Sequence, residues 1–198
     1  MSSNEYHFIT NWRIAGTVEE VFDLIGYPLD FPRWWPSVYL DAQEIEPGDV
    51  NGLGRAVRFH TKGWLPYTIR WDSRAVETQR PSRLVIRATG DFEGRGIWIF
   101  QQDGGFVNAS FDWKLTADKP LLRYLSFLLK PVFAANHRWA MARGKTSLEL
   151  ELARRHAAAA ERQRIPPPPP PNRTSGMWLA AATVIVMIGL VALVRYLF

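Results

Sequence analysis

The side chains able to do chemistry in this chain are few, and their spacing limits what they can do. The four histidines, His7, His60, His137 and His156, form neither an H-x-x-x-H nor an H-E-x-x-H pair, so a metal site would need ligands gathered from distant segments. Cysteine is absent, which excludes disulfides, thiolate metal ligands and a cysteine nucleophile. Gly52-Leu53-Gly54 and Gly94-Arg95-Gly96 lack the strand–turn–helix setting of a dinucleotide loop and read as tight turns or bent strand. Asp72, Glu93 and Asp112 fall on the polar side of alternating segments, so paired-carboxylate catalysis has no support. No catalytic residue, metal or cofactor is expected. His137 is the one histidine that spacing places on an apolar face. Its plainer reading is a core histidine bonded to a neighbour; the functional one is a cavity group that orients a polar ligand head or moves a proton.

Aromatic residues make up 13% of the chain, with nine tryptophans, enough to fill a core or line a cavity. The elements that would position them follow from periodicity. Tyr6, Phe8, Thr10, Trp12 and Ile14 alternate with polar residues and predict a first strand. Thr17-Val18-Glu19-Glu20 is a capping box, followed by Val18, Val21, Phe22 and Ile25 at helical spacing, with Gly26 and Pro28 as stops. Residues 30–36, DFPRWWP, predict a short helical or looped passage. From about residue 38 to 115 alternation with turn punctuation predicts six antiparallel strands. Tyr67, Ile69, Trp71, Ser73 and Ala75 share one face of such a strand, as do Val107, Ala109, Phe111, Trp113 and Leu115. After Pro120 the spacing is helical and continues past Pro131 to about Glu161. Phe133, His137, Ala140 or Met141, Gly144, Leu148 and Leu152 form the stripe that would face the sheet.

A strand, two short helices, six antiparallel strands and a long helix is a helix-grip order, and the residues along it are similar to those of the START-like superfamily of polyketide cyclases/dehydrases and lipid-transport proteins. The carriers are Ile14-Ala15-Gly16-Thr17 through Val21-Phe22, residues 30–36, Gly52-Leu53-Gly54, Pro81-Ser82-Arg83-Leu84, and the stretch from Phe133 to Leu148 with Asn136-His137 and Met141. The resemblance implies an α+β helix-grip fold, a curved antiparallel sheet of about seven strands wrapped on the C-terminal helix around an apolar cavity. On the strands the candidate cavity residues are Phe59, Trp71, Ile86, Trp98, Phe111 and Trp113. Trp35, His137 and Met141 join them from the helical segments. Trp64 and Leu65 put apolar side chains at a hairpin tip, where they would either gate the cavity or touch a bilayer, or fold back on the sheet.

The net charge of +5 is unevenly spread. Residues 1–153 carry 18 Lys+Arg against 18 Asp+Glu, whereas residues 154–198 carry six Arg against Glu161. The domain is balanced, so a nucleic-acid partner is not expected. Residues 177–194 form a run of eighteen without a charge, about 27 Å as a helix and close to a hydrocarbon core of about 30 Å. Trp178 and Tyr196 fall where interfacial rings are favoured, and the arginines before the run place the rest of the chain in the cytoplasm. Six prolines at 166–171 predict a stiff spacer of about 19 Å or a docking site for proline-recognising modules. Asn172-Arg173-Thr174 matches a glycosylation sequon that would be inert there. The expected organisation is a START-like domain over residues 1–153, a basic, proline-rich linker over 154–176 and a single-pass transmembrane anchor over 177–198. The expected function is binding or transfer of a hydrophobic small molecule or lipid at a membrane. The alternatives are a polyketide cyclase/dehydrase-type enzyme and a cavity-less interaction module on a tether.

Overall fold

A computed structural model describes residues 5–116 and 120–172, the side chains of residues 120–129 excepted. Strand β1 runs Glu5–Ala15 and turns at Gly16 into helix α1, Val18–Gly26. The capping box forms as the sequence requires: the Thr17 hydroxyl accepts from the Glu20 amide at 3.3 Å, and the Glu20 carboxylate accepts from the Thr17 amide at 2.9 Å. A 3-10 turn at Pro28–Asp30 leads into the four-residue α2, Phe31–Trp34. Six strands follow: β2 Tyr39–Glu46, β3 Ala56–Lys62, β4 Thr68–Gln79, β5 Arg83–Gly90, β6 Glu93–Asp103 and β7 Phe106–Thr116. Helix α3, Pro120–His156, passes through Pro131, and a single turn, α4, covers Ala159–Arg162. The helix ends five residues before the expected Glu161, because the chain breaks its helical course at Ala157 and Ala158.

All seven strands form one antiparallel sheet in the order β1-β7-β6-β5-β4-β3-β2. Every strand pair joins sequence neighbours except that of β1, which pairs with β7 from Glu5↔Thr116 to Ala15↔Phe106. Alternation therefore gives the sheet one apolar inner face, which α1, α2 and α3 cover. Beyond Ala75 the expected alternation of β4 breaks. A bulge at Val76 shifts register between Ala75 and Glu77, so Thr78 returns to the inner face opposite Leu84.

Helix α3 lies along β1, and its stripe is buried at Met141, Gly144, Leu148 and Leu152. At Gly144 the absence of a side chain is required. A Cβ there would come 2.2 Å from Cζ2 of Trp35, whose own ring is held by Trp12, Trp34 and Tyr39. Gly144→Ala should therefore destabilise the domain by about 1–3 kcal/mol, the usual cost of overpacking a filled core. A denaturant titration with an unchanged m-value and a lower midpoint would report it. Beneath this contact Glu151, buried in α3, accepts from Arg33 at 3.0 Å and from Arg155 at 3.2 Å, which ties α2 to α3.

Residues 177–198 lie outside the described residues, as does the sequon threonine Thr174. Among the described residues no helix is long and apolar enough to cross a membrane.

Candidate functional site

Between the inner face of the sheet and α3 lies a cavity of about 510 Å³. Its wall is built by strand parity. Phe59 of β3, Trp71 of β4, Ile86 of β5, Trp98 of β6, and Phe111 and Trp113 of β7 all point inward and line it. Trp35 at the end of α2, and His137 and Met141 of α3, close the other side. The nine residues singled out by pattern are thus brought onto one surface. Their rings form a continuous chain of contacts: Phe59 on Trp71 at 4.9 Å, Trp71 on Trp113 at 6.0 Å, Trp113 on Phe111 at 5.3 Å, and Phe111 stacked on Trp98 at 4.3 Å.

Pattern reading missed other wall residues. Phe31 lies in a passage too short to show a repeat, and Tyr39 opens β2 ahead of a register shift between Tyr39 and Asp41; Phe31 stacks on Phe59 at 5.8 Å, and burial pushes the Tyr39 phenol up. Phe92 sits in the β5–β6 turn, where alternation gives no signal, yet its ring meets Trp71 at 5.4 Å. Thr78 is hidden by the bulge at Val76, which reverses parity ahead of it. Arg55 also lines the cavity, but its guanidinium is committed: it donates to Gly26 O at 3.2 Å and Pro47 O at 3.1 Å, clipping the β2–β3 connection to the end of α1.

The expected gate residues occupy a different position. Trp64 is 37% exposed, and neither it nor Leu65 is on the cavity wall, where Lys62, Gly63 and Tyr67 of the same turn are found. The turn is pinned by its backbone: the Trp64 amide donates to Asn136 Oδ1 at 2.9 Å, and a Cβ on Gly63 would come 2.0 Å from that oxygen. Asn136, one residue before His137, is the anchor that joins this turn to α3.

His137 is the histidine of the wall. Its ring stacks on Phe8 at 4.5 Å and its Nε2 is hydrogen-bonded to Thr10 Oγ1 at 3.3 Å. Burial, with a smaller contribution from Arg138, lowers its pKa to about 4. The imidazole is therefore neutral at physiological pH, able to donate or accept a hydrogen bond but a poor base. The other histidines stand elsewhere. His7 lies 2.9 Å from Asp112 on the outer face, His156 lies 2.5 Å from Glu20, and His60 Nε2 is buried without a partner among the described residues. Among the described residues no three His, Asp or Glu side chains gather as a metal site would need.

A pH dependence follows from His137. Unfolded, it protonates near pH 6.5; folded, it resists down to about 4. As pH falls the unfolded chain takes the proton first, so stability present above pH 6.5 is lost progressively between 6.5 and 4. At about 1.4 kcal/mol per unit the full span is worth roughly 3 kcal/mol. His137→Phe, which keeps the stack on Phe8, should flatten the stability profile across that window in denaturant melts. A slope that persists in the variant would assign it to another group.

A seven-stranded antiparallel sheet packed on a long C-terminal helix around a half-open, largely aromatic cavity is a helix-grip fold. The chain belongs to the family described as polyketide cyclase / dehydrase and lipid transport, whose model matches residues 8–152. Among solved structures it is similar to the ZhuI aromatase/cyclase from Streptomyces sp. R1128, with a TM-score of 0.63 at 15% identity over 78% of this chain and 98% of that one. It is also similar to TTHA0849 from Thermus thermophilus, with a TM-score of 0.61 at 13% identity over 77% and 100% of the two chains. The di-domain ARO/CYC BexL from the BE-7585A biosynthetic pathway gives a TM-score of 0.55 at 18% identity over 74% of this chain and 51% of that one. At these identities the likeness is one of fold. No curated protein matches the chain by sequence.

Proposed function

We propose that this protein takes up a neutral hydrophobic small molecule or lipid in the cavity between the sheet and α3, at a membrane to which residues 177–198 anchor it. The cavity carries the reading: about 510 Å³ lined by stacked rings, with a neutral imidazole in its wall and with Arg55 committed to backbone carbonyls. At about 25 cal/mol per Å² of apolar surface removed from water, an apolar ligand needs no covalent step to be held there. His137 offers a ligand no charge above pH 4, and the wall's lysine, Lys62, stands at the turn beside Gly63 and Tyr67. The test is native mass spectrometry of the protein purified from cells, with extraction of whatever is bound. An uncharged apolar molecule is the expected result. An empty protein that also fails to take up an apolar fluorescent probe would overturn the reading and leave an interaction module.

The second reading is a cyclase-type reaction in which the wall folds a reactive chain and His137 assists. The His137–Thr10 hydrogen bond and the aromatase/cyclase likeness of the fold favour it. His137→Ala separates the two: a binder keeps uptake within a few-fold, whereas loss of a general acid/base typically costs about 10²–10⁴-fold in turnover.

Anchoring has its own expected outcome. The full chain should stay with membranes through alkaline carbonate extraction, and removal of residues 177–198 should release a folded domain with the same cavity. A truncated chain that remained in the pellet would locate the membrane contact elsewhere.

A further inference from the structure

The outer face of the sheet carries a feature that ligand uptake does not use. Register sets Arg87 of β5 directly opposite Arg95 of β6, and Arg95 directly opposite Lys114 of β7. The row continues to Arg74 on one side and His7 on the other. Those end members are matched within the chain, Arg74 by Glu46 at 2.5 Å and His7 by Asp112 at 2.9 Å. The three central cations are exposed and make no ion pair or side-chain hydrogen bond among the described residues. Glu93, two residues along β6 from Arg95, forms no ion pair with them, and Asp72 is taken by Arg58 in a two-point contact at 2.8 and 2.9 Å.

Adjacent strands are about 4.8 Å apart, so the three cations form a line of about 10 Å. Like charges directly opposite on neighbouring strands are destabilising. The β3–β4 pair shows the ordinary solution, with Arg58 opposite Asp72. The cation row takes the opposite course, and the same face leaves Ile9 66% and Ile99 38% exposed. Unmatched cations beside exposed isoleucines suit a surface that is anionic outside and apolar beneath. A nucleic acid would use the cations but not the isoleucines, and the near-zero net charge of residues 1–153 gives it no wider field. The sequence from the last turn of α3 onward points to the same occupant, with five arginines preceding an uncharged run of eighteen residues at 177–194.

We propose that Arg87, Arg95 and Lys114 dock the outer face of the sheet onto the acidic phospholipid headgroups of the membrane that holds the C-terminal segment. The proposal rests on the anchored reading above and adds to it a fixed orientation: the domain lies on the bilayer by its outer face rather than swinging on its proline tether.

The chain has no cysteine, so one introduced thiol reports without background. Thr89→Cys, exposed on the outer face two residues from Arg87, is labelled with a polarity-sensitive dye in the full-length protein. The protein is reconstituted into vesicles of phosphatidylcholine alone or with phosphatidylserine. The expected result is a blue shift only with phosphatidylserine, reversed by high salt. Each cation near an acidic surface is worth about a fivefold gain, so changing Arg87, Arg95 and Lys114 together to Gln should weaken the apposition on the order of a hundredfold, and changing all three to Glu should weaken it further. Single Arg95→Gln should give a loss of about fivefold and serves if the triple variants misfold. Equal emission in both vesicle types, or a shift that survives the triple change, overturns the proposal. A shift produced by a soluble acidic polypeptide but not by phosphatidylserine also overturns it and makes the partner a protein. Carbonate extraction of the same vesicles keeps the two readings apart. A chain that is extracted yet responds to phosphatidylserine loses the anchor and keeps the docking face. A chain that is retained yet unresponsive does the reverse.

Discussion

Ala140→Trp is expected to weaken ligand uptake close to a hundredfold while leaving the domain folded. Ala140 lies on α3 between His137 and Met141 and lines the cavity. A ring placed there has the cavity beside it to enter, unlike a ring at Gly144, where Trp35 already fills the room. A ligand that loses about 100 Å² of apolar contact at about 25 cal/mol per Å² loses roughly 2.5 kcal/mol, close to a hundredfold in affinity. Ala142→Trp, on the exposed side of the same helix, is the control and should bind an apolar fluorescent probe like the parent. The measurement is probe titration of all three proteins beside their thermal melts. Undiminished binding by Ala140→Trp would move the ligand site out of the cavity.

Trp98→Ala is expected to give the largest loss of stability among single changes in the wall. Trp98 is 6% exposed, stacks on Phe111 at 4.3 Å and on Phe100 at 5.8 Å, and meets Trp12 at 5.2 Å. Through those three rings it joins β6 to β7 and β1. Deleting a buried aromatic costs about 3–5 kcal/mol, at the upper end where the surroundings cannot collapse into the gap. Here one side of the gap is already open cavity, so little collapse can follow. Denaturant melts read the loss, and a cost near 1 kcal/mol would mean that the rings repack across the void.

Much of this architecture can be read in the residues because the sheet obeys a period of two. The inward set on β7 and on the first half of β4 follows from alternation, as do the six strand residues of the cavity wall. Reading fails where the period is interrupted. Val76 adds one residue to β4 and returns Thr78 to the inside. Phe92 reaches the cavity from a turn, Phe31 from a passage too short to show a repeat, and Tyr39 from the start of β2, where the register shifts between Tyr39 and Asp41. The charge row on the outer face is invisible in the sequence for another reason. Arg87, Arg95 and Lys114 are distant in sequence and become neighbours only through register, which a composition balanced over residues 1–153 conceals. Asn136 belongs to a recognisable pattern, but its hold on the Trp64 amide depends on a contact across 72 residues.

The pairing of β1 with β7 has a consequence for how the protein comes into being. The first strand finds its only sheet neighbour about a hundred residues later, and α3, which packs along β1, is made later still. At about 5–20 residues per second a ribosome needs roughly 5–20 s to extend the chain from Ala15 to Thr116. Throughout that interval the face of β1 bearing Tyr6, Trp12 and Ile14 has no partner, although in the finished domain all three are at most 7% exposed. The β2–β7 meander can zip locally as it emerges, but β1 closes the sheet by a long-range step of the kind that slows folding. Newborn chains should therefore depend on a holding chaperone for their first fifteen residues, and a circular permutant that places β1 directly after β7 should fold faster while enclosing the same cavity.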